Sequence, residues 1–369
     1  MWASMHMPSD ASGRPAPLTQ ACQAPPWSFV QEFLQHPERR FLFGATAAAA
    51  QVCRELPIAG ILDDHFPQSS FCDVPVARLA QAHPDSLVVA TQLGRPVSAT
   101  AALTAAGLQH CDFFSFARFS GLLLPAVRFW SGFTDQTAAH LQELAWLRSQ
   151  LADKLSVEVL DRLVQFRLHA DVSALRGFTD MQTQQYFEDF LELRPDGEVF
   201  ADVGGYDGAT TAQFLRTCPG ATQSWCFEPH PQNLQLIETR FQHDQRVSVI
   251  GCALGEQAGT ATLAGEGSVA AISTHGTLSI PVRTLDSLQL PHLTWLKMDI
   301  EGSEVSALKG SARTISRCHP RLAICVYHEA RDLWEIPRLV LNIHSRYAVY
   351  LRHYTEGVVE TVMYFVPLK

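Results

Sequence analysis

Three short stretches in the second half of the chain combine residue types that chemistry requires. The first is Asp202-Val203-Gly204-Gly205-Tyr206-Asp207-Gly208, which follows the apolar run Val199 to Val203 and opens a helix-like stretch from Ala209 to Leu215. Glycines at a strand-to-helix turn permit positive φ and let backbone N–H groups approach a ligand closely. The acid at the strand end can hold a cationic or hydroxyl-bearing group over the turn, although a turn built only for packing needs glycine too. The second stretch is Trp225-Cys226-Phe227-Glu228-Pro229, an apolar strand ending in a carboxylate. Glu228 falls about 26 positions after Asp202, where a doubly wound sheet places the residue that accepts hydrogen bonds from a ribose diol. A merely exposed strand-end acid would give the same pattern. The third stretch is Lys297-Met298-Asp299-Ile300-Glu301-Gly302-Ser303-Glu304. Strand alternation puts Lys297, Asp299 and Glu301 on one face, and charges ending a buried strand are costly unless they pair or bind something. An internal pair of Lys297 with Asp299 or Glu301 satisfies that requirement as well as a ligand does.

These residues need elements that bring strand ends together. From 194 to 369 the strands read Val199 to Val203, Ser224 to Phe227, Val247 to Gly251, Trp295 to Ile300 and Leu322 to Tyr327, with helices between several of them. Two more, Tyr347 to Arg352 and Glu360 to Val366, are joined by a loop short enough to force an antiparallel hairpin onto a parallel sheet. Thr260 to Val282, rich in Gly, Thr, Ser and Ala, reads as an inserted hairpin. A smaller Rossmann-like α/β region spans 39–119, with strand-like and helix-like runs alternating. Gly44-Ala45-Thr46-Ala47-Ala48-Ala49 occupies its dinucleotide-turn position and Asp63 or Asp64 follows about 20 residues later, but one of three fingerprint glycines survives. The region 120–193 carries Leu144, Leu147, Leu151, Leu155, Val159 and Leu163 at helical spacing and reads as a helical connector, ending in an aromatic helix face of Tyr186, Phe187 and Phe190.

Composition limits what such a scaffold can do. The chain has 37 Asp and Glu against 28 Lys and Arg, a net charge of −9. That balance repels phosphate backbones and anionic lipids, which excludes a general nucleic-acid or membrane-surface binder and favours small or neutral partners. No apolar run is long enough to span a membrane. The nine cysteines show no C-x-x-C pair, and several sit inside apolar runs, as buried thiols of a reducing compartment do. The start, Met1 to Pro26, lacks the apolar core of a signal sequence, so residues 1–38 are expected to be a poorly ordered tail and the protein cytoplasmic.

The sequence from about Gln182 to Pro367 resembles the FkbM family of S-adenosylmethionine-dependent methyltransferases. The resemblance rests on Val199 to Gly208, on Phe227-Glu228-Pro229, on Ala253-Leu254-Gly255, on Thr284-Leu285-Asp286 and on the run Leu296 to Gly310 with its K-x-D-x-E-G-x-E and L-K-G motifs. It implies a seven-stranded, mostly parallel sheet with an antiparallel last strand, and O-methylation of a hydroxyl on a sugar, glycan or polyketide-like small molecule. Asp202, Gly204, Gly205 and Gly208 would then lie at the methionine end of the cofactor, Glu228 and Pro229 at its ribose, and Cys252 and Ala253 beside the adenine. Asp299 borders the same site. Position 206 is Tyr where the broader methyltransferase turn D-x-G-x-G has Gly, which leaves its cofactor contact open.

Methyl transfer from a sulfonium is an in-line displacement, so the acceptor oxygen must be aligned and its proton removed. Candidate bases are Asp299, Glu301 and His328, the last able to titrate near neutrality. Asp299 and Glu301 could instead hold a divalent metal, the less favoured arrangement. Two other functions stay open: an NAD- or nucleotide-sugar-dependent enzyme using the first α/β region, and a non-catalytic cofactor-binding protein. The sequence does not fix the oligomeric state.

Overall fold

The computed structural model describes residues 26–265, 271–272 and 276–368, so the tail expected over Met1 to Pro26 lies outside the described residues save its last position. The chain divides into two compact units. The first takes in the chain up to Leu141 together with Asp161–Asp180 and Thr355–Val358; the second comprises Gln142–Leu160, Met181–Tyr354 and Val359–Lys369.

In the first unit, strands β1 (Arg40–Phe43), β2 (Gly60–Leu62), β3 (Ser70–Phe71), β4 (Val74–Ala77), β5 (Leu87–Ala90) and β6 (Gln109–Asp112) form one sheet in the order β3-β4-β2-β1-β5-β6. All neighbours are parallel except the β3–β4 hairpin. Side chains alternate across it, as a strand covered on both faces requires. Leu42, Leu87 and Val89 join the apolar cluster on one face, and Phe43, Val88 and Ala90 the cluster on the other. The first cluster also takes in Phe29, Val30 and Phe33. Their spacing makes one helical face, and residues Pro26–Gln35, within the stretch assigned above to a tail, are accordingly a helix.

In the second unit, β7 (Val199–Val203), β8 (Gln223–Phe227), β9 (Val247–Ile250), β10 (Ala253–Leu254), β11 (Gly259–Ala264), β12 (Ala271–Ile272), β13 (Leu278–Arg283), β14 (Trp295–Met298), β15 (Arg321–Cys325), β16 (Tyr347–His353) and β17 (Thr361–Pro367) follow in turn. Seven make the expected sheet, in the order β16-β17-β15-β14-β7-β8-β9. β17 runs antiparallel to both β16 and β15 while the remaining pairs are parallel, because the short loop after β16 leaves no room for a crossover. Its centre is dry and aromatic: Phe200 of β7 stacks on Trp295 of β14 with centroids 4.4 Å apart, and both are fully buried. Burying each such side chain contributes roughly 1.5–3 kcal/mol. The expected hairpin over Thr260 to Val282 lies partly outside the described residues; its described ends, β11 and β13, pair antiparallel in a second sheet of order β10-β13-β11-β12.

Residues 120–193 are helical over Phe133–Ala139, Leu141–Gln150 and Lys154–His169, with Leu144, Leu147, Val159 and Leu163 buried as expected and Leu155 exposed. The aromatic helix face at Tyr186, Phe187 and Phe190 does not form. Tyr186 adopts φ +70°, which ends helical progression, and the three rings diverge. Phe187 packs edge-on against Trp295 at 5.3 Å and Phe190 stacks on Tyr350 at 4.3 Å, while Tyr186 enters the site described next.

Candidate functional site

The turn after β7 is held from below. Asp202 and Lys297 are register partners on the adjacent parallel strands β7 and β14, so their side chains meet on one face. Lys297 Nζ lies 3.1 Å from Asp202 Oδ1 and donates to the Gly204 carbonyl at 2.6 Å; Thr211 Oγ1 donates to Asp202 Oδ2 at 2.8 Å. Both charges are buried. Burial alone would lower the lysine pKa, but the Asp202 and Asp299 carboxylates hold it well above its ordinary value. The lysine's ion-pair partner is therefore Asp202, and neither Asp299 nor Glu301, the internal partners that strand alternation offered: β14 ends at Met298, and the chain turns at Glu301 with φ +58°. Gly204 is obligatory at this turn, because its φ is +82° and a Cβ would collide with the Asp299 carbonyl oxygen.

Glu228 follows β8 beside that turn. One carboxylate oxygen accepts the Tyr206 N–H at 2.9 Å, and the other accepts the His230 N–H at 2.9 Å and Asn233 Nδ2 at 3.4 Å. The residue is buried, and burial raises its pKa against the pull of these donors. It is thus not an exposed strand-end acid: it clamps two turns, and the oxygen that accepts the Tyr206 N–H keeps a further lone-pair direction for a ligand hydroxyl. Tyr206, at φ +50°, is itself 44% exposed at the rim.

Asp299, Glu301 and His328 converge as expected. His328, just after β15, places Nε2 3.4 Å from Asp299 Oδ1 and 3.9 Å from Glu301 Oε2. A fourth group, Glu304, sits 2.9 Å from His328 Nδ1 and accepts the Ile300 and Gly302 N–H groups at 2.8 and 3.1 Å. Burial pulls the His328 pKa down, yet Glu304, Asp299 and Glu301 outweigh it and carry the imidazole up to about 9. An imidazole charged at neutral pH cannot accept a proton, so the expectation of His328 as general base conflicts with its surroundings. Asp299 is opposite in sense. Burial would raise its pKa, but Lys297, His328 and the Tyr186 hydroxyl hold it below the usual carboxylate range. Among the described residues, one group of three His, Cys, Asp or Glu side chains is placed to hold an ion together: Asp299, Glu304 and His328.

One pocket joins these parts. Gly204, Tyr206, Asp299, Glu301 and Ser303 line one end, and Glu228, Pro229, Asn233, Cys252 and Ala253 the other, where Leu263 and Ile272 of the second sheet add apolar cover. Of the expected contacts, Asp202, Gly205 and Gly208 do not line it. Asp202 is consumed by Lys297 and Thr211, a Cβ at Gly205 would meet Cys226 Sγ, and Gly208, at φ +78°, is the N-cap of helix Ala209–Thr217 against Phe241.

Residues 202–355 match the family described as the methyltransferase FkbM domain. The chain carries an FkbM methyltransferase domain. It is accordingly an enzyme of the S-adenosylmethionine-dependent methyltransferase class. A solved structure, methyltransferase FkbM from Methylobacillus flagellatus KT, is 24% identical, covers 92% of this chain and 95% of its own, and superposes with a TM-score of 0.75, which shows a common fold across both units. An rRNA methylase from Streptococcus thermophilus matches 49% of this chain and 93% of its own at 17% identity and a TM-score of 0.35. No curated protein matches.

The first unit has a crevice at the same place in its sheet, lined by Thr46, Asp63, His65, Gln92, Arg95 and Ser98 among others. There Asp63 accepts the Ala45 N–H at 2.9 Å with one oxygen and the His65 and Phe66 N–H groups at 2.8 and 2.9 Å with the other. Beyond the FkbM domain match, Tyr186 is the residue that sequence reasoning placed elsewhere: its hydroxyl donates to Asp299 Oδ2 at 3.0 Å. Glu304 stood in the K-x-D-x-E-G-x-E motif without a role. A glutamate following Gly-Ser at a helix start was its available signal, since acids there accept free backbone N–H groups.

Proposed function

We propose that the FkbM domain binds S-adenosylmethionine between Glu228 and Asp299 and transfers its methyl group to a hydroxyl of a sugar, glycan or polyketide-like small molecule. The observation that carries this reading is the single pocket running from a buried carboxylate after β8, past a glycine turn closed to any Cβ, to an ionised carboxylate after β14. The residues present fit the cofactor. Glu228 can accept from a ribose diol, the Cys252–Ala253 backbone with Leu263 and Ile272 offers apolar walls to a flat base, and Gly204 leaves room where a side chain would intrude.

S-adenosylmethionine supplies an electrophilic methyl group on a sulfonium. Asp299 has two tasks in this reading. Its negative charge would face the cofactor's sulfonium, and it receives the acceptor's hydrogen bond so that the oxygen lies in line. Its low pKa is no obstacle to taking the proton: as the O–C bond forms, the acceptor proton becomes strongly acidic and passes to a weak base. His328 lies 2.9 Å from Glu304 and 3.4 Å from Asp299, so its imidazolium would serve as the counter-charge of this carboxylate group. The eight described cysteines are all free, which supports a reducing, cytoplasmic setting. No helix among the described residues is long and apolar enough to cross a membrane.

Isothermal titration with S-adenosylmethionine, followed by transfer of a tritiated methyl group to a panel of hydroxylated small molecules, tests the proposal. Micromolar binding and label on an ether oxygen are expected. A folded protein that binds neither S-adenosylmethionine nor S-adenosylhomocysteine would overturn it, and label on nitrogen or carbon would overturn the hydroxyl assignment.

A further inference from the structure

Asp299 is not free to choose its orientation. One oxygen is near the His328 imidazole, and the other receives the Tyr186 hydroxyl. Tyr186 comes from the segment before the matched domain and is itself held at several points. Its N–H donates to the Tyr364 hydroxyl at 3.0 Å, its own hydroxyl lies 3.2 Å from Cys325 Sγ, and Lys297 Nζ sits 5.4 Å from its ring centroid. Next to it, Gln185 Nε2 donates to Glu360 Oε2 at 2.5 Å, and earlier in the segment the backbone is tied again, with Met181 N–H donating to the Tyr354 carbonyl at 3.0 Å.

These contacts keep Tyr186 at φ +70°. For a bulky residue that backbone is a strained one, and such outliers persist where surrounding structure over-determines them. A helix through this segment would avoid the cost but would carry the hydroxyl away from Asp299. Strain is thus retained at the residue whose one polar atom meets the pocket carboxylate. Tyr186 is 6% exposed and does not line the pocket, which its hydroxyl reaches through Asp299.

We propose that Tyr186 is a positioning residue for methyl transfer: its hydroxyl turns the Asp299 carboxylate toward the place of the reacting methyl group. The inference rests on the cofactor reading given above. It makes the polar function of the FkbM domain depend on a side chain outside residues 202–355.

The test compares two ligands of the full-length protein that differ at one position. Sinefungin carries an ammonium-bearing carbon where S-adenosylhomocysteine has its sulfur, so a correctly turned Asp299 favours sinefungin alone. In Tyr186→Phe the preference for sinefungin over S-adenosylhomocysteine should fall about tenfold, the value of one hydrogen bond to a charged group, with S-adenosylhomocysteine affinity kept within about twofold. Asp299→Asn should show a similar fall, and the double variant little more, because both changes remove one interaction. An unchanged preference in Tyr186→Phe, an equal loss of both ligands by that folded variant, or an unchanged preference in Asp299→Asn would each overturn the proposal. Should Tyr186→Phe fail to fold, Tyr364→Phe, which removes the acceptor of the Tyr186 N–H, carries the same expectation. Wild-type protein that binds neither ligand overturns the cofactor reading instead.

Discussion

The two sheets solve the same local problem with the same device and reach different chemistry. In each, a central strand, β1 or β7, runs into a glycine with positive φ, Gly44 or Gly204, and then into a helix. In each, the acid after the neighbouring strand accepts a backbone N–H from that turn, Asp63 from Ala45 and Glu228 from Tyr206. The difference lies on the other side of the central strand. After β14 come Asp299, Glu301 and Glu304 around His328, with Lys297 beneath; after β5 come Thr91, Gln92 and Leu93. A glycine turn with an acid beside it is therefore a property of the fold, needed to close the turn, and does not by itself mark a site. The charged group at the second strand end distinguishes the FkbM domain.

The comparison breaks most sharply at that strand end. Asp299→Asn should lower methyl transfer about 10²-fold or more, measured as tritium transferred to any acceptor the wild type methylates, whereas Gln92→Ala at the corresponding place in the first unit should leave the rate alone. Equal losses would place chemistry in both units. Next in size is the pair of glycines. Gly204→Ala should weaken S-adenosylmethionine binding by about 10²-fold, because a Cβ meets the Asp299 carbonyl and the backbone resists φ +82°. Gly44→Ala faces a softer neighbour, the Gln92 side chain at 3.0 Å, and should cost stability while titrations with S-adenosylmethionine stay unchanged.

The acids themselves come third. Glu228→Gln should lose about tenfold in cofactor affinity, the range of one hydrogen bond to a charge, and Asp63→Asn none; calorimetric titration of both variants decides it. Glu228→Ala is a poorer probe, since it would also release the Tyr206 and His230 N–H groups. The smallest effect is on stability. The folded-state pKa of His328, about 9, lies above the ordinary histidine value, so its contribution is complete at pH below about 6.5 and is lost as pH rises through 9. The melting temperature should fall between pH 7 and pH 9.5, and fall less in His328→Gln. A histidine variant with the wild-type slope would contradict the charged-imidazole assignment.

How much of this could be read without coordinates depended on the range of the interaction. The seven strands and the antiparallel β17 were legible because apolar runs, turn residues and a short last loop are local signals. Glu228, Asp299, Glu301 and His328 were legible as strand-end residues of a doubly wound sheet. The pairing of Asp202 with Lys297 was not legible, because the two are register neighbours on strands nearly a hundred residues apart in sequence and no local pattern encodes that register. Tyr186 was read as part of an aromatic helix face with Phe187 and Phe190; what sets it apart is a left-handed backbone held by Tyr364, Tyr354 and Glu360, all far downstream.

The central claim is that cofactor binding belongs to the pocket between Glu228 and Asp299 and not to the crevice beside Asp63. A crystal structure of the full-length protein with S-adenosylhomocysteine tests it most directly. The ribose hydroxyls should lie within hydrogen-bond reach of Glu228, with the sulfur on the Asp299 side of Gly204. Ligand in the first unit's crevice, or a sulfur farther than about 10 Å from the Asp299 carboxylate, beyond even a water-bridged proton transfer to an acceptor at the methyl group, would contradict it.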